Sequence, residues 1–428
     1  MKSSLQVDQL LEEVQAFHGQ SIYKGLRSGI AKKRLIYRLL FPIVELGSRS
    51  RMCNFGMLFG LILFHPHFSR PQTGKSIFEY GPTRNNISAF DRLNACLPNE
   101  LTDEVDLNGL SISFGARIST AISISKVWSA ACALQRKRSP DPLPHLQSAI
   151  AVASFLLYTQ RPHFLHIHLL CVASDHSPVA MALLFLARRM GVKTCYIQHA
   201  PVTESFPPLN YDLSLLYDQS SVAAYERSAR ARGVAMDENI EILPPYGEEF
   251  QHPKVKQPPY TVGICLSSIP QVERVTKLVD QIGSKPSVSG VLIRCHPRFR
   301  LEISRSQAGS SVSLQEQGQS LASFLDEVDI VLVPNSGVAM EALHRGRPTF
   351  FTDGMDELPS DYYGFVEEGV LPEFRMQFLE DAGAAMAHFD ASWKARFANH
   401  DATVESSIVS AKERVAKAIT KLLEQSEK

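Results

Sequence analysis

Three short runs of this chain concentrate side chains able to handle charge and protons. The first is Arg294-Cys295-His296-Pro297-Arg298, which follows the apolar residues Val291, Leu292 and Ile293. Arginine offers a planar fork of donors suited to phosphate, and proline fixes a turn that presents His296 at the end of a strand. The second run, Asn335-Ser336-Gly337, lies between the apolar DIVLVP and the helical pattern VAMEALHRG. Its side chains suit a helix N-terminus, where backbone N–H groups attract anions. Glu341 follows one turn later, and a carboxylate there is a good acceptor for ribose hydroxyls. The third run is Gln198-His199-Ala200, at the end of VKTCYIQ, with Asp175 upstream in CVASDHS and Glu204 downstream. His199, Asp175 and Glu204 are candidate bases, His199 first because imidazole titrates near neutrality. Arg294, His296, Arg298, Asn335, Ser336, Gly337 and Glu341 together read as a site for a phosphorylated nucleotide. Each motif also has a plainer meaning: a charged surface turn at His296, simple N-capping at Ser336 and Asp175, a structural His199. His163, His166 and His168 alternate along a run read as a strand. They lack a further ligand nearby, so no metal site is expected.

These motifs need strand ends and helix starts to hold them, and the surrounding pattern supplies both. From Ser76 onward, short apolar runs alternate with helical periodicity. SIFEY, FLHIHLL, VKTCYIQ, DLSLLYD and NIEILPP read as strands, interleaved with helices such as SPVAMALLFLARRMG, closed by Gly191. A polar, proline-rich stretch over 246–259 separates this set from a second one. There TVGICLSS, VLIR, SVSL, DIVLVP and PTFF are strands, with helices between them. The expected fold class is therefore α/β, with two Rossmann-like doubly wound domains facing a cleft. Ligands in such folds sit beyond the carboxyl ends of the strands. The expected division is an N-terminal helical segment over 1–72, an acceptor-binding domain over 73–245, a nucleotide-binding domain over 246–385, and C-terminal helices over 386–428 that pack back on the body.

Bulk properties narrow the classes. At 428 residues the chain exceeds one ordinary core. Lys+Arg and Asp+Glu are 44 each, so no global field draws nucleic acid, and no nucleic-acid partner is expected. The seven cysteines are scattered without CxxC spacing, as in a reduced cytoplasmic protein. Residues 31–69 are basic, aromatic and amphipathic, and the apolar piece Phe55–Phe64 falls short of the roughly 20 residues that span a bilayer. Such a stretch suits peripheral contact with an anionic membrane surface, and equally a helix pair packed on the protein's own core.

The order YIQHAPVTESFPPLNYDLSLLYDQSS, LIRCHPRFR, then SLASFLDEVDIVLVPNSGVAMEALHRGRPTFF resembles bacterial surface-polysaccharide glycosyltransferases of the GT-B fold. It is most similar to the sialyltransferase-like and Kdo-transferase-like enzymes of capsule and lipopolysaccharide assembly. The resemblance spans about residues 165–365. It implies a nucleotide-sugar donor, with a CMP-sugar favoured, and a glycan or lipid-linked glycan acceptor at the inner membrane. It makes His296 a ligand of the nucleotide phosphate or base and Ser336 a phosphate ligand, with no cofactor and no metal. The acidic pair that related sialyltransferases carry before a glycine has only a loose counterpart here, Asp175-His176. CDP-glycerol-type polyol-phosphate transferases are also similar, and a non-catalytic scaffold of the same fold is the alternative outside enzymes.

Overall fold

The computed structural model describes residues 2–18, 35–81, 83–107, 109–159, 166–174, 177–236, 239–297, 299, 312–316 and 318–426. The chain divides into two compact units. The first comprises Met1–Leu216, Val222–Pro245 and Val409–Lys428, the second Tyr217–Ser221 and Tyr246–Ile408. The expected C-terminal segment 386–428 is thus shared: its last helix, Ile408–Ser426, falls almost wholly in the first unit.

The first unit is built on strands β1 (Ser69–Arg70), β2 (Ile77–Tyr80), β3 (Val105–Leu107), β4 (Leu110–Ser111), β5 (Leu169–Val172), β6 (Lys193–Ile197), β7 (Leu213–Leu216) and β8 (Ile240–Ile242). β1 and β4 form a small antiparallel pair; the other six make a parallel sheet in the order β3-β2-β5-β6-β7-β8. Its strands are apolar on both sides because both faces are covered. Phe78, Leu170, Val172, Tyr196 and Leu216 face one helical layer, while Ile77, Leu169, Cys171, Cys195, Ile197, Leu213 and Leu215 face the other. The first layer is unusually deep. The helix Pro142–Thr159 is buried along most of its length, as a helix apolar on every side must be. The N-terminal helices Lys2–His18 and Arg51–Phe64 pack in the same core through Leu10, Leu11, Val14, Leu58 and Ile62. The second layer includes Phe90 and Leu93 of the helix Arg84–Asn94, and Val415 and Ile419 of the C-terminal helix.

One expected strand is displaced. FLHIHLL becomes β5 only from Leu169, so His166 and His168 precede the strand instead of alternating on it, and His168 Nδ1 meets Ser426 Oγ at 3.2 Å. His163 lies outside the described residues. The strand begins where both faces are sealed, which polarity at His166 and His168 does not permit.

The second unit contains β9 (Tyr260–Cys265), β10 (Val288–Arg294), β11 (Val312–Leu314), β12 (Ile330–Val333) and β13 (Thr349–Phe351), all parallel, in the order β11-β10-β9-β12-β13. The fold class expected from the sequence, two doubly wound α/β units, is what the structure shows. Gly263 on β9 lets the helix Leu321–Glu327 approach closely, since a Cβ there would lie 2.8 Å from Phe324 Cζ. Among the described residues no helix is long and apolar enough to cross a membrane.

One buried group in the first unit is expensive. Glu79 on β2 is fully buried and faces the second layer. Burial pushes its carboxyl up to about 8, opposed by a hydrogen bond from Asn94 Nδ2 at 3.2 Å and reinforced by Asp91 and Asp106. Its folded form therefore prefers the neutral acid. Stability from that form is complete below the ordinary value of 4.5 and is lost as pH rises through about 8. Glu79→Gln, which keeps the shape without the charge, should leave stability at low pH nearly unchanged. At about pH 9 it should stabilise by on the order of 1–3 kcal/mol. Thermal denaturation of both proteins across pH 5–9 measures this, and a constant difference at every pH contradicts it.

Candidate functional site

In the second unit the chain runs outward from β9 to β10 to β11, then returns to the other side of β9 as β12. Loops leaving neighbouring strands diverge at such a reversal, and the crevice beyond the carboxyl ends there is where doubly wound sheets bind ligands. The residues at this point are Leu266-Ser267-Ser268 after β9 and Asn335-Ser336-Gly337 after β12, with Arg294 at the end of β10 one strand away.

The loops are fastened to one another before any ligand is considered. Asp356, only 2% exposed, is the hub. Its Oδ1 accepts from Asn335 Nδ2 at 3.2 Å and from Leu358 N at 3.1 Å. Burial raises its pKa, and hydrogen bonds from Asn335, Leu358 and Ser267 oppose that shift. Gln271 N donates to Met355 O at 2.8 Å, Gln271 Nε2 to Asp356 O at 3.0 Å, and Glu357 N to Ile269 O at 3.2 Å. The loops after β9 and β13 are thereby stitched side by side. Asp361, held in the left-handed region at φ 48°, turns the chain so that Tyr362 N donates to Asn335 Oδ1 at 2.7 Å. Asn335 Nδ2 also donates to Pro359 O at 3.0 Å. Both donors and the acceptor of this amide are occupied within the loop framework. Asn335 therefore acts as a positioning residue: it holds the loops that a ligand would touch. Asp356 and Ser267 escape a reading of the sequence, because a carboxyl 21 residues downstream of Asn335 carries no local signal. The hydroxyl pair after a buried strand was the one available hint.

Ser336 and Gly337 open the helix Val338–His344, which has only seven residues. Its first N–H groups are satisfied at home: Val338 N donates to Ser336 Oγ at 3.3 Å, Ala339 N to Ser336 O at 3.2 Å, and Met340 N to Gly337 O at 3.2 Å. The anion-attracting end expected from the sequence thus shrinks to the Ser336 O–H and the N–H groups of Ser336 and Gly337, which meet no acceptor among the described residues.

Arg294 closes β10 opposite Cys265 of β9, and Leu266 N donates to Arg294 O at 2.9 Å. One guanidinium nitrogen, Nη1, is anchored on Gln315 Oε1, on Gln319 O at 3.1 Å and on Ser320 O at 3.3 Å. Anchoring one arm orients the rest of the fork. Glu341 lies within electrostatic reach. Burial pushes its carboxyl up, while Arg345, His344 and Arg294 pull it down. The thiol of Cys265, pushed up to about 12 by burial, feels the same Arg294 and Glu341. Arg294, Glu341 and the carboxyl end of β9 are thus one neighbourhood. Behind Glu341, His344 is buried, with Nδ1 2.6 Å from Asp401 Oδ2 and Tyr246 stacked on its ring at 4.2 Å. Gly346, at φ 71°, ends the helix where a Cβ would press within 3.1 Å of Gln251 and His252 O. His296 sits two residues past β10, partly exposed, in a turn closed by Phe299 N on His296 O at 2.8 Å. Arg298 lies outside the described residues.

In the first unit, His199 follows β6 and is half-buried. The Gln198 before it is fully buried: its N donates to Leu215 O at 2.9 Å, and its backbone oxygen accepts from Arg92 Nη2 at 3.1 Å. Glu204 is exposed and faces Arg227 Nε at 3.7 Å, so its charge is solvated and loosely paired. Asp175 lies outside the described residues. Among the described residues no three His, Cys, Asp or Glu side chains gather as metal ligands.

No family model matches this sequence, and no curated protein does. Among solved structures, the kitacinnamycin glycosyltransferase is 10% identical, with 82% of this chain and 100% of that chain covered at a TM-score of 0.49. The UDP-GlcNAc 2-epimerase from Neisseria meningitidis is 10% identical, with 81% and 99% covered at 0.47. The calicheamicin glycosyltransferase CalG4 is 12% identical, with 83% and 99% covered at 0.45. Chains this dissimilar lend no residue role to the present one.

The loop framework makes a mutational prediction. Asn335→Ala strips two donors from Asp356 and Pro359 and one acceptor from Tyr362, and should cost on the order of 1–3 kcal/mol. Ser336→Ala removes only a local turn contact and should cost under about 1 kcal/mol. Denaturant unfolding of the two variants tests this; equal losses would remove Asn335 from its bracing role.

Proposed function

We propose that the second unit binds a nucleotide-activated sugar and that the chain is a glycosyltransferase. What supports the reading is that Arg294 and His296 at the end of β10, and Ser336 and Glu341 at the start of the helix after β12, lie beyond strand ends flanking the β9/β12 reversal, with Arg294 in electrostatic reach of Glu341. A phosphate would be met by the oriented guanidinium of Arg294, by His296 and by the donors of Ser336 and Gly337. The ribose hydroxyls would be met by Glu341. This donor set serves the leaving group: as the bond from the sugar carbon to the nucleotide phosphate breaks, the phosphate keeps the electron pair, and cations and O–H donors stabilise its growing charge. An acceptor hydroxyl forms the new bond to that carbon, and its proton passes to a base. The reading assigns this proton to the first unit, with His199 the first choice ahead of Asp175 and Glu204.

Within this reading the donor is a CMP-sugar and the acceptor a glycan, free or lipid-linked, of capsule or lipopolysaccharide assembly, reached by a peripheral protein at the inner membrane face. The motif order that resembles the capsule and lipopolysaccharide transferases supports that finer assignment. The arms of a single binding experiment separate the alternatives.

Thermal denaturation with CMP, CDP, UDP, GDP and ADP should show a selective rise with CMP, about 2.7 kcal/mol when the nucleotide is at a hundred times its Kd. Arg294→Ala and His296→Ala should each weaken that binding by on the order of tenfold or more, since each removes a charge-assisted contact. A shift with CDP alone moves the assignment to a polyol-phosphate donor. No shift with any of the five, in a protein that melts cooperatively, overturns the transferase reading in favour of a scaffold.

A further inference from the structure

The first unit carries an apolar surface that the described residues leave uncovered. The helix Arg51–Phe64 is apolar on nearly every side, a composition that normally means burial all round, yet it buries only Asn54, Leu58 and Ile62. Met52 and Phe64 face solvent, and Phe55 and Phe59 line the side toward Trp128, with Phe55 5.9 Å from the Trp128 ring. A helix packed against it, Phe114–Ala121, turns Phe114 and Ile118 outward, and Ile122 continues the same four-residue stripe. Ile124 and Trp128 extend it along the helix Ile124–Arg136. Of these nine side chains, Phe55 and Phe59 are partly buried and the other seven are between 38% and 73% exposed.

This surface is held rigid. The buried Arg117 donates from Nε to Ile112 O at 3.2 Å and from Nη1 to Leu63 O at 3.2 Å and His65 O at 2.7 Å. It locks the helix Phe114–Ala121 onto the C-terminal end of the helix Arg51–Phe64. The unfilled carbonyls of one helix thus fix the outward stripe of the next.

Charge decides what the surface meets. In a chain with equal numbers of acids and bases, no Asp or Glu occurs between Glu45 and Glu79, or between Asp106 and Asp141. Both stretches that build the face are therefore free of carboxylates, while Arg51 and Lys126 lie on its helices and Arg49, paired with Glu45, just precedes the first of them. A second copy of the same face would set the cations of Arg51 and Lys126 against one another, with Glu45, already paired with Arg49 at 3.7 Å, the acid beside the rim. Exposed aliphatic and aromatic side chains inside a cationic rim match an anionic lipid surface instead. We infer that the helices Arg51–Phe64, Phe114–Ala121 and Ile124–Arg136 form a docking face for an anionic membrane. Trp128, Phe114 and the isoleucines enter the headgroup boundary, and the arginines and Lys126 meet the lipid phosphates. The face requires no nucleotide, so a chain inactive as a transferase binds the same bilayer.

Sedimentation of the full-length protein with vesicles tests this, using phosphatidylcholine alone and phosphatidylcholine enriched in phosphatidylglycerol. The wild-type chain should pellet with the phosphatidylglycerol vesicles, and less so as salt rises. Ile118→Glu with Ile122→Glu should weaken binding at least tenfold while the circular dichroism stays unchanged, because both positions are exposed. Val234→Glu, an exposed apolar residue on a turn outside the face, should bind like the wild type. Wild-type protein that remains in the supernatant with both vesicle types overturns the inference, as does a double variant that binds as tightly. A concentration-dependent dimer that the double variant abolishes, without vesicle binding, also overturns it and makes a second copy the cover.

Discussion

The double pairing of β9, with β10 on one side and β12 on the other, is the constraint on which the second unit depends. It forces the chain to reverse direction across the sheet, and the reversal parts the loops after β9 and β12. Gly263 makes that central position tenable by admitting Phe324 of the covering helix, so the sheet is sealed on the side where β9 carries no side chain. Everything that would touch a ligand then emerges from three adjacent strand ends. Arg294 is fixed by its register opposite Cys265, and Ser336 by its place three residues past the edge of β12. The site is a consequence of strand order before it is one of residue identity.

What strand order leaves open, buried polar contacts close. A loop at a sheet edge has backbone groups to satisfy and few apolar residues to bury, so it is mobile unless side chains supply the missing bonds. Asn335 and Asp356 do so from opposite ends, and Ser267 adds a hydroxyl. The price is a carboxyl kept from water with its pKa raised, which is the arrangement expected where a buried acid stabilises loops through several weak bonds instead of one ion pair. Glu79 in the first unit is a contrasting case. It has one hydrogen bond from Asn94 and neighbouring acids, and nothing in its surroundings turns the buried carboxyl to structural use.

The sequence was most readable where one physical demand governs a long stretch. Apolar runs located the strands β9, β10, β12 and β13 of the second unit, because parallel strands covered on both faces must be largely apolar, while the exposed edge strand β11 showed itself by alternation. Gly191 and Gly346 marked helix ends through their positive φ. The basic loop after β10 was legible because an arginine at the end of a buried strand has nowhere polar to go except outward. Legibility failed where a contact is long-range or a helix is short. Asn335 reads as a ligand residue by composition, but its amide is spent on a loop 21 to 27 residues away. Ser336 reads as the mouth of a helix dipole, but a seven-residue helix that satisfies its own first turn has little dipole to offer. The start of β5 was misplaced because His166 and His168 fit the alternation of a half-buried strand, whereas the sheet there is buried on both sides.

The neutral overall charge conceals a separation that bears on how the first unit meets its surroundings. Acids are excluded from the segments that build the exposed apolar helices, and acids beside those segments are engaged: Glu45 faces Arg49 at 3.7 Å, Asp8 pairs with Arg136 at 2.9 Å and Glu12 with Lys137 at 2.9 Å. Exposed pairs of this kind contribute little stability. Their effect on the field is larger, because each takes a carboxylate out of play beside a face that would otherwise feel it. The aliphatic surface of Ile118, Ile122 and Ile124 costs free energy in water, at roughly 25 cal/mol per Å2 of apolar area. A bilayer seated on the docking face would relieve that cost, which the described residues of the first unit leave in place. The absence of acids says the cover is negatively charged, and the rigidity given by Arg117 says the face is ready before the cover arrives.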